Sequence, residues 1–238
     1  MQTLTRALKH ELRTLRGALY RRLAISEKTE RSIVDKFHRL YFDSSAFNMT
    51  WRNTQWMGHR ILKCPLDLWL YQEVLHTLRP AVVIETGTAF GGSAHFMASM
   101  MDILGHGQII TMDIEHHEGR PQHPRITYLT GSSVEPDMVA HVRSLVGSAG
   151  PVMVLLDSDH ARDHVLAELE AYAPFVTPGS YLVVEDTNLN GHPVFDDYGP
   201  GPMEALEAFL GRHPEFVHDP AMDKFLLTFN PKGFLKRA

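Results

Sequence analysis

The stretch AVVIETGTAFGGSAHF, residues 81–96, decides the fold class. It begins with a continuous apolar run from Val82 to Ile84, which is typical of a strand that is buried on both faces. Glycines follow at 87, 91 and 92, where they allow the backbone to turn tightly and approach a ligand at the start of a helix. A strand, a glycine-rich turn and a helix in this order predict the first unit of an α/β sheet.

The rest of the chain repeats this alternation. Strands are predicted at 108–114, 125–131, 152–157 and 181–186, with KFLLTFNP (224–231) and GFLKR (233–237) as terminal strands. Helices are predicted at 68–78, 93–104, 134–146, 164–176 and 202–213. This pattern predicts a doubly wound, mostly parallel α/β sheet with helices on both faces. In such sheets ligands bind at the carboxyl ends of the strands, near the point where the strand order reverses.

Composition narrows the functional classes. The chain has 238 residues, of which 44% are hydrophobic and 21% are charged, as expected for a globular protein with a sizeable core. The formal net charge of −5 argues against a nucleic-acid partner. The single cysteine, Cys64, excludes an internal disulfide and a cysteine-based zinc cluster. No apolar stretch approaches the ~20 residues of a membrane span, and we expect a cytoplasmic protein.

The chain is predicted to consist of an N-terminal helical segment, 1–45, and a single domain, 46–238, with lid loops at 46–66 and 188–202. The N-terminal segment is basic and carries leucines at helical spacing, at positions 4, 8, 12, 15, 19 and 23. A basic amphipathic helix can pack on its own domain or on a second copy, which would give a homo-oligomer, a dimer or higher. Peripheral contact with a membrane surface is the alternative.

The glycine turn follows an E-x-G-x-x-x-G-x-S pattern. It is neither the dinucleotide pattern GxGxxG nor the phosphate loop GxxxxGK[ST]. It matches a looser pattern found in sites for S-adenosylmethionine (SAM), although a plain strand-to-helix turn would look the same. The candidate cofactor-binding residues at this turn are Glu85, Gly87, Thr88, Gly91 and Ser93.

The next two strands end in polar residues that suit an adenosine ligand. Asp113 ends the second strand, where dinucleotide and SAM sites use a carboxylate to hold a ribose diol. Ser132 and Ser133 follow the third strand, and they either face an adenine edge or cap the next helix.

The predicted strands at 152–157 and 181–186 both end in carboxylates. Asp157 is a candidate for both cofactor and metal binding, and Glu185 and Asp186 are candidate metal ligands. If three carboxylates converge without a cation, their repulsion raises their pKa values. Oxygen ligands without thiolates suit Mg²⁺, with Mn²⁺ or Ca²⁺ as alternatives.

His160 lies three residues after Asp157, where it either removes a proton from a substrate hydroxyl or only packs. Asp159, between them, is a candidate helix cap. The two lid loops supply Trp56, His192 and Tyr198 as candidate contacts for a saccharide acceptor; a plain surface loop is the alternative for 188–202.

Five segments together resemble a known family: WRNTQWMG (51–58), VIETGTAFGGSA (83–94), LLDSDHARDHVLAE (155–168), YLVVEDTNLNGHPV (181–194) and GPGPMEALEAF (199–209). They are similar to the SAM-dependent O-methyltransferases grouped with cephalosporin hydroxylase. The resemblance is greatest to the mycobacterial rhamnosyl and mannosyl O-methyltransferases, which modify cell-envelope glycolipids and polysaccharides. It covers roughly residues 40–235.

This resemblance implies a class I, Rossmann-like methyltransferase fold, SAM as methyl donor, a divalent cation that is commonly Mg²⁺, and a mannoside or rhamnoside hydroxyl as acceptor. It assigns the metal to Asp157, Glu185 and Asp186, and the base role to His160, as in related macrolide-sugar methyltransferases. Glu85, Gly87, Ser93 and Asp113 fall at SAM positions. Three alternatives remain: a methyltransferase of an antibiotic sugar, a non-catalytic SAM- or sugar-binding subunit, and a nicotinamide-dependent oxidoreductase.

Overall fold

A computed structural model describes residues 9, 11–17, 19, 25–44 and 48–238. Described residues 9, 11–17 and 19 are helical, and the leucines at 12, 15 and 19 are exposed. The leucines at 4, 8 and 23, which share the helical spacing noted in the sequence, lie outside the described residues. A bend at 25–26 interrupts the helix predicted over 1–45. The next helix, α1 (Glu27–Phe42), is capped by Ser26, whose hydroxyl accepts a hydrogen bond from the Thr29 N–H.

The remaining elements follow in the order β1 (Gln55–Trp56), β2 (His59–Arg60), α2 (Pro65–Leu78), β3 (Val82–Thr86), α3 (Gly92–Leu104), β4 (Gln108–Asp113), β5 (Ile126–Thr130), α4 (Pro136–Val146), β6 (Val152–Leu156), α5 (Arg162–Tyr172), β7 (Tyr181–Val184), α6 (Pro202–Leu210), β8 (Phe216–His218) and β9 (Phe234–Arg237). Among the described residues, none of the helices combines the length and the apolar character needed to cross a membrane.

The sheet has seven strands in the order β5-β4-β3-β6-β7-β9-β8. The first five are parallel, and β9 runs antiparallel to both of its neighbours. The predicted doubly wound, mostly parallel sheet is therefore confirmed. The strand order reverses between β3 and β6, so a crevice opens at the carboxyl ends of these two strands.

Both faces of the sheet are covered, which explains why its central strands are continuously apolar. On β3, Val82 and Ile84 pack against α4, α5 and α6. Val83, which points to the opposite face, packs against α2 and α3. Strands buried on both faces lose the alternation of polar and apolar residues that marks a half-exposed strand.

The predicted strand at 224–231 is wrong. The last two strands are β8 and β9, and the segment between them turns at Leu226, which has a φ of +66°. Its backbone groups are satisfied by side chains: the Phe229 N–H donates to Asp67 and the Asn230 N–H donates to Thr228. Leu227 and Phe229 of this segment pack in a separate cluster, called here the lid cluster, which also contains Phe42, Cys64, Leu189 and Val194.

Candidate active site

Two adjoining cavities open at the carboxyl ends of β3 and β6. The first has a volume of about 430 Å³ and the second of about 540 Å³. Gly87, Ala89, Asp157 and Ser158 line both, so a single ligand lying across these residues reaches both cavities. The first cavity has a largely aromatic wall: Phe42, Trp51, Phe90, Phe195, Tyr198 and Phe229.

Glycine is required at two positions of the turn after β3. At Gly87, where φ is +85°, a Cβ atom would lie 1.8 Å from the backbone oxygen of Asp157. At Gly92 a Cβ atom would lie 2.0 Å from the backbone oxygen of Arg60. The turn therefore packs closely against the backbone at the end of β6 on one side and against the backbone of β2 on the other. Gly91, the N-cap residue that precedes α3, has a φ of +76° and lines neither cavity.

Glu85 lies beneath the turn rather than on a cavity surface. Its fully buried carboxylate accepts hydrogen bonds from Ser93 and from Thr111, the latter at 2.6 Å. Burial raises the pKa of Glu85. Thr88 and Ser93 line the first cavity, and the Thr88 hydroxyl lies 2.7 Å from that of Thr111. Glu85 thus lines neither cavity and reaches the first one only through its hydrogen bond with Ser93.

The second cavity contains the residues predicted to face an adenosine. Asp113 accepts hydrogen bonds from the Ala89 N–H at 2.8 Å and the Glu115 N–H at 2.9 Å, so it also orders the glycine turn. Ser132 and Ser133 line the same cavity. The Ser133 hydroxyl donates to a buried glutamate, Glu168, and Ser158 donates to the same carboxylate oxygen at 2.7 Å. The Ser133 hydroxyl is therefore already engaged within the protein.

A buried lysine joins two of the predicted carboxylates. The Lys63 ammonium group lies 2.6 Å from Glu185 Oε2 and also contacts Asp157 Oδ2. The Tyr71 hydroxyl donates to Glu185 Oε1 at 2.8 Å. Burial raises the pKa of Asp157 to about 6 and that of Glu185 to about 7, although Lys63 opposes both shifts. Burial disfavours the charge on Lys63, but Asp157, Glu185 and Glu85 together raise its pKa above the usual value.

His160 and Asp186 complete the site. His160 Nε2 lies 3.1 Å from Asp186 Oδ2, and burial raises the pKa of Asp186. Asp186 has a φ of +54°, and its N–H donates to Asn230 Oδ1 at 2.9 Å. Each of Asp157, His160 and Asp186 offers a possible ligand atom, and these atoms all lie within 4.8 Å of one another.

The side chains that follow β6 and β7 lie close together, as predicted. The three residues whose possible ligand atoms lie closest to one another are, however, not the three predicted metal ligands. His160, rather than Glu185, is the third member of the group with Asp157 and Asp186. The physical reason is Lys63, which contacts one Glu185 oxygen while Tyr71 donates to the other. The predicted helix cap at Asp159 is wrong: Ala161 occupies the N-cap position of α5 without a side-chain cap hydrogen bond, and Asp159 accepts from the Ala161 N–H at 2.8 Å in the turn before the helix.

Of the three lid residues predicted to contact an acceptor, one lines a cavity and two do not. Tyr198 lines the first cavity. The Trp56 indole N–H donates to Ser99 at 3.1 Å, and its ring packs edge-on against Phe96 at 4.9 Å, which holds β1 on α3. His192 Nε2 lies 2.9 Å from Glu204 at the start of α6. Neither Trp56 nor His192 lines either cavity, so the structure does not place them where an acceptor would lie.

Sequence reasoning missed Lys63, Tyr71 and Asn230. Asn230 is fully buried, and besides accepting from Asp186 it donates from Nδ2 to the Tyr71 hydroxyl at 3.2 Å. Only Lys63 had a signal: it is a lone charge within the apolar run ILKCPL (61–66), and a buried lysine needs a paired carboxylate. Tyr71 lies on an ordinary helix and Asn230 in a segment predicted as a strand.

The comparisons with known proteins agree with the resemblance. The family model described as Rhamnosyl O-methyltransferase/CmcI matches residues 48–238. The rhamnosyl O-methyltransferase of Mycobacterium leprae (strain TN) is 42% identical over 212 residues, covering 87% of this chain and 91% of the relative. That of Mycobacterium bovis (strain BCG / Pasteur 1173P2) is 38% identical over 213 residues, with coverages of 87% and 85%.

Solved structures show the same similarity. A CmcI structure with Mg and SAM has a TM-score of 0.62 and 25% identity, and covers 79% of this chain and 77% of that one. An apo structure of CmcI has the same TM-score and coverage at 24% identity. The fold predicted by the resemblance is therefore confirmed.

Proposed function

This chain belongs to the rhamnosyl O-methyltransferase/CmcI family, and from that membership we propose that it transfers the methyl group of SAM to a sugar hydroxyl with the aid of Mg²⁺. The acceptor in this proposal is a rhamnoside or mannoside of a cell-envelope glycolipid or polysaccharide. The observation that carries the proposal is the group formed by Asp157, His160 and Asp186 at the cavity that adjoins the glycine turn.

The two cavities fit the two halves of SAM. Asp113 in the second cavity is the carboxylate available to a ribose diol, and Ser132 lies beside it. The turn at Gly87 leads from there into the first cavity, where Thr88 and Ser93 lie. When bound, SAM supplies an electrophilic methyl group on a sulfonium ion. The CmcI structure that contains Mg and SAM supports the same pair of cofactors here.

The donor set fits a hard divalent cation. Asp157, Glu185 and Asp186 bring three carboxylates to adjacent strand ends, and Lys63 is the buried cation that contacts two of them. Burial is the main reason why the pKa values of all three are raised, and repulsion by a neighbouring carboxylate adds to each shift. Asp157 and Asp186 would hold the ion, with Glu185 as the third carboxylate that the family resemblance assigns. Mg²⁺ held there would lower the pKa of the acceptor hydroxyl and fix its orientation.

We assign His160 the role of removing the acceptor proton. A neutral imidazole that donates from Nε2 to Asp186 keeps the lone pair of Nδ1 for accepting a proton. The sugar hydroxyl loses its proton to His160, and its oxygen forms the new bond to the methyl carbon as the carbon–sulfur bond breaks. Asp186 holds the ring in position and stabilises the imidazolium that forms. Alignment of the two reactants across the shared cavity wall supplies much of the rate.

The wall of the first cavity suits a glycoside. Phe195 and Tyr198 offer apolar ring faces, onto which the C–H face of a sugar ring can pack while its hydroxyls point to polar groups. The carboxylates and His160 supply those polar groups.

The experiment is a product analysis. The purified chain, Mg²⁺ and SAM carrying a deuterated methyl group are incubated with rhamnosides, mannosides and a macrolide glycoside. Mass spectrometry should detect the labelled methyl on a rhamnoside or mannoside, and NMR then identifies the oxygen that carries it. Label on the macrolide glycoside alone would replace the proposed acceptor with an antibiotic sugar. SAM binding without transfer to any glycoside would favour a non-catalytic binding subunit.

We also propose that the exposed face of segment 1–45 packs against a second copy of the chain, while His38 and Phe42 on α1 are buried against its own domain. Exposed apolar side chains on α1, Ile33, Phe37 and Leu40, support a covered surface there. Light scattering coupled to gel filtration should show a dimer or higher assembly. A monomer that floats with anionic vesicles would assign the segment to membrane contact instead.

A further inference from the structure

An arginine next to the glycine turn has an unusual environment. Arg60, at the end of β2, holds its guanidinium 4.2 Å from the centre of the Phe90 ring, and Phe90 is part of the turn. The Arg60 backbone oxygen is the atom that makes glycine necessary at position 92. Arg60 is thus fixed to the turn by its side chain and by its backbone.

The hairpin that carries Arg60 is itself anchored. Trp56 on β1 donates to Ser99 on α3 and packs its ring against Phe96. Strands β1 and β2 pair through Trp56 and His59, one residue before Arg60. The guanidinium therefore has a defined position relative to the cavity that it lines.

Arg60 carries a charge that the described part of the chain leaves without a carboxylate partner. The hydrogen bond it donates is a long one, 3.3 Å, to the backbone oxygen of Arg52. Lys63, the lysine in the same cavity, is already paired with Asp157 and Glu185. By contrast, Arg39 is paired with Asp196 through two hydrogen bonds. Four of the five guanidinium N–H groups of Arg60 thus remain available to an anion.

We infer that Arg60 binds the carboxylate of the amino-acid moiety of SAM. This inference rests on the proposed function, because it takes SAM as the ligand. With the adenosine in the second cavity beside Asp113, the amino-acid moiety crosses Gly87 into the first cavity, where Arg60 lies. A carboxylate moved out of water needs a cation or several donors. The planar guanidinium group matches a carboxylate with two parallel hydrogen bonds.

The test compares SAM with decarboxylated SAM, which differs by the carboxylate alone, using calorimetry on the full chain. Arg60 is exposed at the cavity mouth, where an ion pair is weaker than at a buried site, so Arg60→Ala should weaken SAM binding roughly 3- to 10-fold. The affinity for decarboxylated SAM should change less than about twofold. Arg60→Lys, which keeps the charge but loses the planar fork, should fall between the wild type and Arg60→Ala.

Arg143→Ala is the matched control. The Arg143 guanidinium lies 4.6 Å from the centre of the Phe175 ring, as that of Arg60 lies over Phe90, but Arg143 lines neither cavity. SAM affinity should stay within about twofold of the wild type. Equal losses for both ligands in Arg60→Ala, or no loss for SAM, would overturn the inference and leave the proposed function standing. A wild-type chain that binds neither ligand would overturn the proposed function as well.

Discussion

Glu185→Gln tests whether a buried carboxylate at this site destabilises the protein when no divalent cation is present. Glu185 is 4% exposed, and burial raises its pKa to about 7 from an ordinary 4.5. Between these two values the folded protein holds a proton at Glu185 that the unfolded chain has released. The free energy of unfolding therefore falls as the pH rises, by about 1.4 kcal/mol per pH unit for one such proton.

From pH 4.5 to pH 7 the wild type should lose about 3 kcal/mol through this carboxyl group, and the glutamine variant should not. The free energy of unfolding of the variant relative to the wild type should thus rise by that amount. In melting temperature the difference corresponds to roughly 6–12 °C for a chain of this size. The pH-dependent difference in the free energy of unfolding between the variant and the wild type is largest at and above pH 7 and vanishes below pH 4.5.

Urea unfolding curves at pH 4.5, 5.5, 6.5 and 7.5, with a chelator present, measure the difference directly. Glu204→Gln is the control, because hydrogen bonds to Gly201, His192 and Asn190 lower the pKa of Glu204 to about 2 despite partial burial. Its contribution changes only below pH 4.5, so its curve should run parallel to that of the wild type. A Glu185→Gln curve that is also parallel, within about 0.5 kcal/mol, would refute the account of this carboxylate.

Three further substitutions test other parts of the site. Gly87→Ala should lower the free energy of unfolding at least about 2 kcal/mol more than Gly105→Ala, because both positions have positive φ but only a Cβ at 87 meets backbone; equal losses in urea unfolding would contradict this. His160→Ala should keep SAM affinity within about twofold and reduce turnover by roughly 10²–10⁴-fold. A large loss of affinity by calorimetry would move His160 to the cofactor site. Asn230→Ala should cost about 1–3 kcal/mol and weaken Mg²⁺ binding, since the Asp186 N–H loses its acceptor; unchanged Mg²⁺ affinity would remove Asn230 from the site.

The fold was largely predictable because its central strands are buried on both faces. The apolar runs that begin β3 and form β6 and β7 are each followed at once by an acidic residue, so the positions and order of these strands along the chain follow from local pattern. The segment 224–231 shows the limit of that pattern. Leu227 and Phe229 are apolar because they fill the lid cluster, and an apolar run alone does not distinguish a paired strand from a packed turn.

The site was predictable to the level of which strand ends meet, and no further. Asp157 and Asp186 follow β6 and β7, which are neighbours in the sheet. The direction in which Glu185 points depends on Lys63 and Tyr71, which come from distant parts of the chain and meet it only in the folded protein. The position of Trp56 likewise depends on a distant residue, because its indole N–H donates to Ser99 on α3 and the side chain therefore lies away from the cavities.

The rate of methyl transfer to a rhamnoside before and after removal of divalent cations tests the central claim most directly. The purified chain is treated with a chelator, assayed with labelled SAM, and assayed again after Mg²⁺ is restored. The account predicts that transfer is lost on chelation and returns with Mg²⁺ in the wild type, and that Asp157→Asn shows little transfer in either condition. Transfer at the full rate in the chelated wild type would contradict it.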